Sequence, residues 1–186
     1  MTVIGFYEEV TIAGFGGQGI ILAGRLLAHI AMKAGKEVTY MPSYGAEMRG
    51  GTANSMVIIS DKAIASPIVS NPNSAIIMNK ASLTKFGPKI QPGGLLVMNS
   101  SLIDERPALD ETIDIVAIPA DDIAAELGNS KAANMVILGT YLQKKGFSSP
   151  QAAAESLPDV LAKRYHKTLP VNTEALLRGA KFISKG

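Results

Sequence analysis

The sequence predicts an α/β fold of three layers, α/β/α, built on a mixed and mostly parallel sheet. Three observations carry this expectation. Short, nearly continuous apolar runs at 74–78, 94–98 and 113–118 have the pattern of strands covered on both faces. A β-branched run, Glu9-Val10-Thr11-Ile12-Ala13, ends in glycines and gives way to apolar residues at helical spacing, so the first βαβ unit reads as Rossmann-like. Beyond Pro119 the pattern turns helical, which supplies the outer layers.

The elements follow in chain order. After the first strand, Ile20, Ile21, Leu26, Leu27, Ile30 and Ala31 recur at helical spacing up to Gly35, a C′ glycine. Val38-Thr39-Tyr40-Met41 is the expected second strand, and 53–59 the third, after an irregular loop from Pro42 to Thr52. The three apolar runs then give three further strands. Ser130 is the expected cap of a helix with Ala133, Val136, Ile137 and Tyr141 inward, closed by Lys144-Lys145-Gly146. The last helix is expected to begin at Asn172 as its N-cap, with Leu176, Leu177, Ala180 and Ile183 on the buried face. Strands come first and helices last in this reading. No internal repeat or low-complexity linker interrupts the chain, so residues 1–186 are read as a single domain.

Composition excludes several classes of function. With 186 residues, 47% hydrophobic and 18% charged, the chain is long enough for one real core. A formal charge of +2, with aromatics at 5% and no Trp, argues against nucleic acid as a partner. Cysteine is absent, which removes disulfides, thiolate nucleophiles, zinc-thiolate sites and protein ligands for an iron-sulfur cluster. Residues 1–10 carry Glu8 and Glu9 and no basic n-region, and no apolar run reaches the ~18 residues of a membrane span. A cytoplasmic location without membrane contact is the resulting expectation.

Gly14-Phe15-Gly16-Gly17-Gln18-Gly19 matches G-x-G-x-x-G between a strand and a helix. Such glycines permit positive φ, let a phosphate approach the backbone, and leave unpaired helix N–H groups aimed at an anion. They equally suit a tight turn with close helix packing, and Gly24 inside the helix fits that role. A dinucleotide fold also wants an acidic residue at the end of the second strand, where 38–43 has none. The P-loop lysine is missing as well. The turn is therefore expected to serve another ligand or a partner.

A second constellation spans Pro42 to Asn54, with three glycines, a phenol, an acid and an arginine. Arg49, flanked by Gly50 and Gly51, can offer a bidentate fork to a carboxylate or phosphate. Glu47 can orient Arg49 or act as an acid or base, and the two can equally form an ordinary solvated pair.

The start strand-GFGGQG-helix, followed by MPSYGAEMRGGTANS, resembles the gamma subunit, or gamma domain, of the thiamine-diphosphate-dependent 2-oxoacid:ferredoxin oxidoreductases. Asn134 with Gly139, and Val171-Asn172-Thr173-Glu174-Ala175-Leu176 leading to Gly179, extend the likeness over essentially the whole chain. The Glu-Met-Arg form of the loop looks most like the 2-oxoglutarate branch, alongside the pyruvate and ketoisovalerate branches. The resemblance implies a complex that oxidatively decarboxylates a 2-oxoacid to an acyl-CoA and passes electrons to ferredoxin. Thiamine diphosphate, magnesium and iron-sulfur clusters would reside in alpha, beta and ferredoxin-like delta partner subunits, with coenzyme A as co-substrate. This chain would hold no cofactor alone and would wall and cover the site; it has no thiamine-type G-D-G motif. Carried over by position, the implied lining residues are Gly14, Gly16, Gly17, Gln18 and Gly19 of the first loop. From the second come Ser43, Tyr44, Glu47, Arg49 and Gly50. Both loops are expected at one end of the sheet, facing the partners' active site.

No catalytic residue and no metal ligand is expected in this chain. His29 and His166 lack a second ligand at metal-type spacing, and Asp121-Asp122 suits a helix N-terminus. The methionines form no spaced cluster, and Ser43 has no histidine within its motif. Two other readings remain: the small subunit of an indolepyruvate oxidoreductase, and a free-standing nucleotide-binding regulatory module.

Overall fold

The apolar runs become the strands of one sheet in the computed structural model, which describes residues 5–44 and 51–183. In chain order the elements are β1 (Tyr7–Phe15), α1 (Ile20–Lys33), β2 (Glu37–Tyr44), β3 (Thr52–Ser60), β4 (Ser74–Ile77) and α2 (Lys80–Phe86). There follow β5 (Leu95–Asn99), β6 (Asp114–Ile118), α3 (Ala120–Glu126), α4 (Ala133–Lys145), α5 (Pro150–Val160) and α6 (Leu169–Ile183). Short 3₁₀ turns occupy Gly87–Lys89, Ser130–Ala132 and Lys163–Thr168.

The sheet has six strands in the order β2-β3-β1-β4-β5-β6. β1, β4, β5 and β6 are parallel neighbours, while β3 runs antiparallel to both β1 and β2. The sheet is thus mixed and mostly parallel, as the continuous apolar strands predict. The first βαβ unit keeps its parallel sense but is opened: β3 lies between β1 and β2 instead of at an edge. Hydrophobic periodicity sets where a strand lies and says nothing about its neighbour.

Alternation along the strands divides the core in two. Val10, Ile12, Val57, Ile59, Ile76 and Val97 face one side, where α1, α4, α5 and α6 pack. Ala13, Ala75, Ile77, Leu96 and Met98 face the other, against Leu83 and Phe86 of α2. On the first side α4 and α6 touch backbone to backbone. A Cβ on Gly139 would overlap the Leu176 carbonyl, one on Gly179 would overlap that of Val136, and the Thr140 hydroxyl donates to the Gly179 carbonyl at 2.9 Å.

Several expected boundaries shift. Pro42, Ser43 and Tyr44 belong to β2, not to a loop, because the hairpin with β3 carries pairing up to Tyr44 and Ala53. Helices α2 and α3 sit between and after the later strands, so strands and helices are not segregated along the chain. The Asn129 side chain, not Ser130, caps the turn before α4 by accepting from the Lys131 N–H at 3.2 Å. The last helix starts at Leu169 instead of Asn172, with Pro170 in its first turn where a missing N–H costs nothing. Asn172 is buried inside that helix and donates back to Thr168 Oγ1 at 3.1 Å.

Candidate active-site rim

At the carboxyl ends of β1 and β4 the chain leaves the sheet toward opposite faces, α1 to one and α2 to the other. This is the switch point at which open α/β sheets leave a crevice for ligands. The glycine turn is built there. Gly17 and Gly19 hold φ of 98° and 74°, left-handed values that glycine adopts at little cost. Gly19 ends the turn as the residue before α1, whose first N–H groups have no partner within the helix.

Much of the turn is occupied with holding itself in place. The Gln18 side-chain oxygen accepts from the Phe15 N–H at 2.7 Å and from Asn79 Nδ2 at 3.0 Å. Asn79 in turn caps α2, its Oδ1 accepting from the Ser82 N–H at 2.9 Å. Asn134 Nδ2 of α4 donates to the Gly19 carbonyl at 3.1 Å, and its side chain fills the space a Cβ there would need. Gly14 is buried among Gln18, Ile20 and Met78 with no room for a side chain. Gly17 differs: it is exposed, and nothing lies within 4 Å of where its Cβ would be. Of the first loop, Gly14, Gln18 and Gly19 are therefore engaged in packing, and Gly17 is the better placed to meet a ligand through the backbone.

The two glycine segments meet. The Gly16 N–H donates to the Gly51 carbonyl at 2.9 Å, and register carries Gly14 opposite Ala53 and Ala53 opposite Tyr44. Tyr44 thus lies two strand spacings from Gly14, about 10 Å. Ser43 is exposed on the edge strand, in register with Asn54. Glu47, Arg49 and Gly50 lie outside the described residues.

The rim also holds polar groups that pattern reading passed over. A cavity of about 100 Å³ is lined by Gly17, Gln18, Met78, Asp121, Ser130 and Lys131, with Ala133 behind. Asp121 lies in the first turn of α3, where negative charge is favoured, and also accepts from Asn99 Nδ2 at 2.7 Å. Asn99 is fully buried and accepts from the Ala120 N–H at 3.0 Å. Asn79 and Asn99 were detectable as polar residues closing continuous apolar strands. Lys131 carries no such signal.

Residues set aside on sequence grounds have structural partners. His29 Nε2 lies 3.2 Å from Asp159, which also accepts from Lys33 at 2.6 Å, and these contacts hold the Asp159 carboxyl below its usual range. His166 Nε2 sits 3.0 Å from the Leu161 carbonyl. Among the described residues no group of three or more His, Asp or Glu is arranged for a metal, and no helix is long and apolar enough to cross a membrane.

Comparison with known proteins places this geometry. A family model described as pyruvate ferredoxin/flavodoxin oxidoreductase matches residues 9–182. The 2-oxoglutarate synthase subunit KorC of Methanothermobacter marburgensis is 32% identical over 185 residues, covering 96% of this chain and 98% of that protein. The ketoisovalerate oxidoreductase subunit VorA of the same organism is 32% identical over 180 residues, 95% of this chain. The match spans only 37% of VorA, so this chain is little more than a third of that relative's length. The crystal structure of a keto/oxoacid ferredoxin oxidoreductase gamma subunit from Geobacter sulfurreducens PCA superposes with a TM-score of 0.78 at 28% identity. That match covers 94% of this chain and 96% of the other.

Proposed function

Because the chain belongs to the pyruvate ferredoxin/flavodoxin oxidoreductase family, we propose that it is the gamma subunit of a 2-oxoacid:ferredoxin oxidoreductase, with 2-oxoglutarate as the oxoacid. The end-to-end match with KorC supports the subunit type and the substrate branch. Thiamine diphosphate, magnesium and iron-sulfur clusters belong in this reading to the partner alpha, beta and delta subunits, and coenzyme A is the acyl acceptor. The bound thiamine supplies the carbanion chemistry of decarboxylation. A chain without cysteine contributes walls and anion contacts instead.

One observation carries the site: the Gly16 N–H to Gly51 carbonyl bond of 2.9 Å ties the two glycine segments into one rim. Gly51 follows Arg49 and Gly50 in sequence, which makes Arg49 the cation of this reading. Backbone N–H groups at Gly17 and the start of α1, together with Arg49, form a cradle for the carboxylate of the oxoacid or a phosphate of coenzyme A. The partner subunits close it from outside.

The reading is tested in the assembled complex. Copurification with larger, cysteine-containing subunits that carry thiamine diphosphate is expected, and an oxoacid panel should favour 2-oxoglutarate over pyruvate, 2-oxoisovalerate and indolepyruvate. Arg49→Ala should raise KM for the oxoacid or coenzyme A by about tenfold, the loss of one charge-assisted contact. Unchanged KM for both would remove Arg49 from the site, and a lone chain stabilised by a nucleotide would replace the complex with a regulatory module.

A further inference from the structure

Away from the glycine turn, α3 and the end of α6 flank a second cavity, open to the surface, of about 420 Å³. Pro119, Ile123 and Phe182 give it an apolar floor, and Glu126, Arg178 and Lys181 stand around it. Its volume lies in the range of small-molecule sites, which are mostly apolar with a few placed polar groups. The polar groups here are not balanced. Arg178 Nη2 donates to Glu126 at 2.8 Å, whereas Lys181 makes no ion pair among the described residues. The set therefore presents one net positive charge over apolar surface. Pairing with Glu126 uses only part of the guanidinium, whose five N–H groups leave others for a second acceptor. Phe182 is 41% exposed, a large aromatic left partly in water beside two cations.

We propose that this cavity binds an organic carboxylate with an aryl or short acyl body. The body lies on Ile123 and Phe182, and the carboxylate meets Lys181 and the free side of Arg178, which Glu126 orients. Position gives the site consequence. α3 separates the two cavities, with Asp121 lining the small one and Ile123 and Glu126 the large one. A ligand here contacts the same seven-residue helix that braces the glycine-turn rim through Asp121 and Asn99.

The test uses the purified chain, so it is independent of whether the oxidoreductase complex assembles. In a titration with 4-phenylbutyrate followed by NMR, saturable shifts are expected at Ile123 and Phe182. The neutral 4-phenylbutan-1-ol should bind about tenfold more weakly, since it lacks the charge-assisted contact. Lys181→Ala and Arg178→Ala should each weaken phenylbutyrate severalfold while leaving the melting temperature unchanged, because both side chains stand at the surface. Equal binding of acid and alcohol, or acid binding indifferent to both variants, overturns the proposal. So does protection of Lys181 from acetylation by the larger subunits without phenylbutyrate binding, which makes the groove a subunit contact.

Discussion

Gly19 and Gly179 show two different reasons for a glycine. At Gly19 both backbone sign and space demand it: φ is 74° and Asn134 fills the Cβ position. At Gly179 the backbone is helical and the demand comes from across the interface, where a Cβ would overlap the Val136 carbonyl oxygen. Backbone cannot rearrange as a side chain end does, so the overlap must be relieved by separating α4 from α6. Gly179→Ala should therefore destabilise by at least about 2 kcal/mol, in the upper part of the usual overpacking range, even though alanine is the better helix former. In a chain of this size that is a fall of roughly 4–8 °C in Tm, read by calorimetry. A Tm within a degree of the parent would mean that the helices do not need this approach. Local propensity alone points the wrong way at this position, and only the position of α6 against α4 reveals why.

Helix α4 carries a similar lesson at the scale of an element. Its inward residues and its Lys144-Lys145-Gly146 ending were legible, because periodicity and capping are local properties, and Gly146 does close it with φ 70°. What Lys145 does there was not legible. It crosses to Glu8 at 2.8 Å, and Glu8, only 5% exposed along its side chain, also bonds the Ser74 hydroxyl. Tyr141 is fully buried beside this pair, close to Ser74 and Glu8, yet neither oxygen stands where its hydroxyl forms a full hydrogen bond. Burial first, then the charge of Glu8, push its phenol well above the ordinary value of 10.0. The sign follows: the folded state holds the proton more tightly than the unfolded chain, so this contribution is intact below the unfolded value and is lost as pH rises beyond it. Tyr141→Phe should accordingly flatten the alkaline limb of the stability curve above about pH 10. At neutral pH it should change stability by less than about 1 kcal/mol, since it deletes a buried hydroxyl without a partner. Chemical denaturation across pH 7 to 11 measures both, and a large neutral-pH loss with an unchanged alkaline limb would contradict the account. The start of α6 was misread for the converse reason. Asn172 has the chemistry of a cap, but Pro170 two residues earlier already fits a first turn, and Asn172 spends its amide on Thr168.

Over the whole molecule, the residues of the proposed site gather at the carboxyl rim of the sheet. The glycine turn, the Gly51 end of the hairpin, Asn79, Asn99 and Asp121 share the rim, while Glu8 with Lys145 lies at the opposite end of β1 and α4. The glycine turn and the tyrosine-arginine motif were readable because each is continuous in sequence. Their meeting depends on β3 pairing with β1, a long-range choice that apolar patterning leaves open. That polar residues following β4, ending β5 and opening α3 would join them was likewise hidden, each arriving from a separate crossover. If partner subunits close over this rim, assembly must protect it and spare the far faces. Hydrogen exchange compared between the free chain and the reconstituted complex should show slowed exchange in peptides covering 14–20, 43–52 and 78–80, the segments that this reading turns toward the partners. Peptides from α5, whose outer contacts are the surface pairs of Asp159 with His29 and Lys33, should exchange at the same rate in both states. Protection of α5 without protection of the glycine turn would turn the subunit around and leave the cradle facing water.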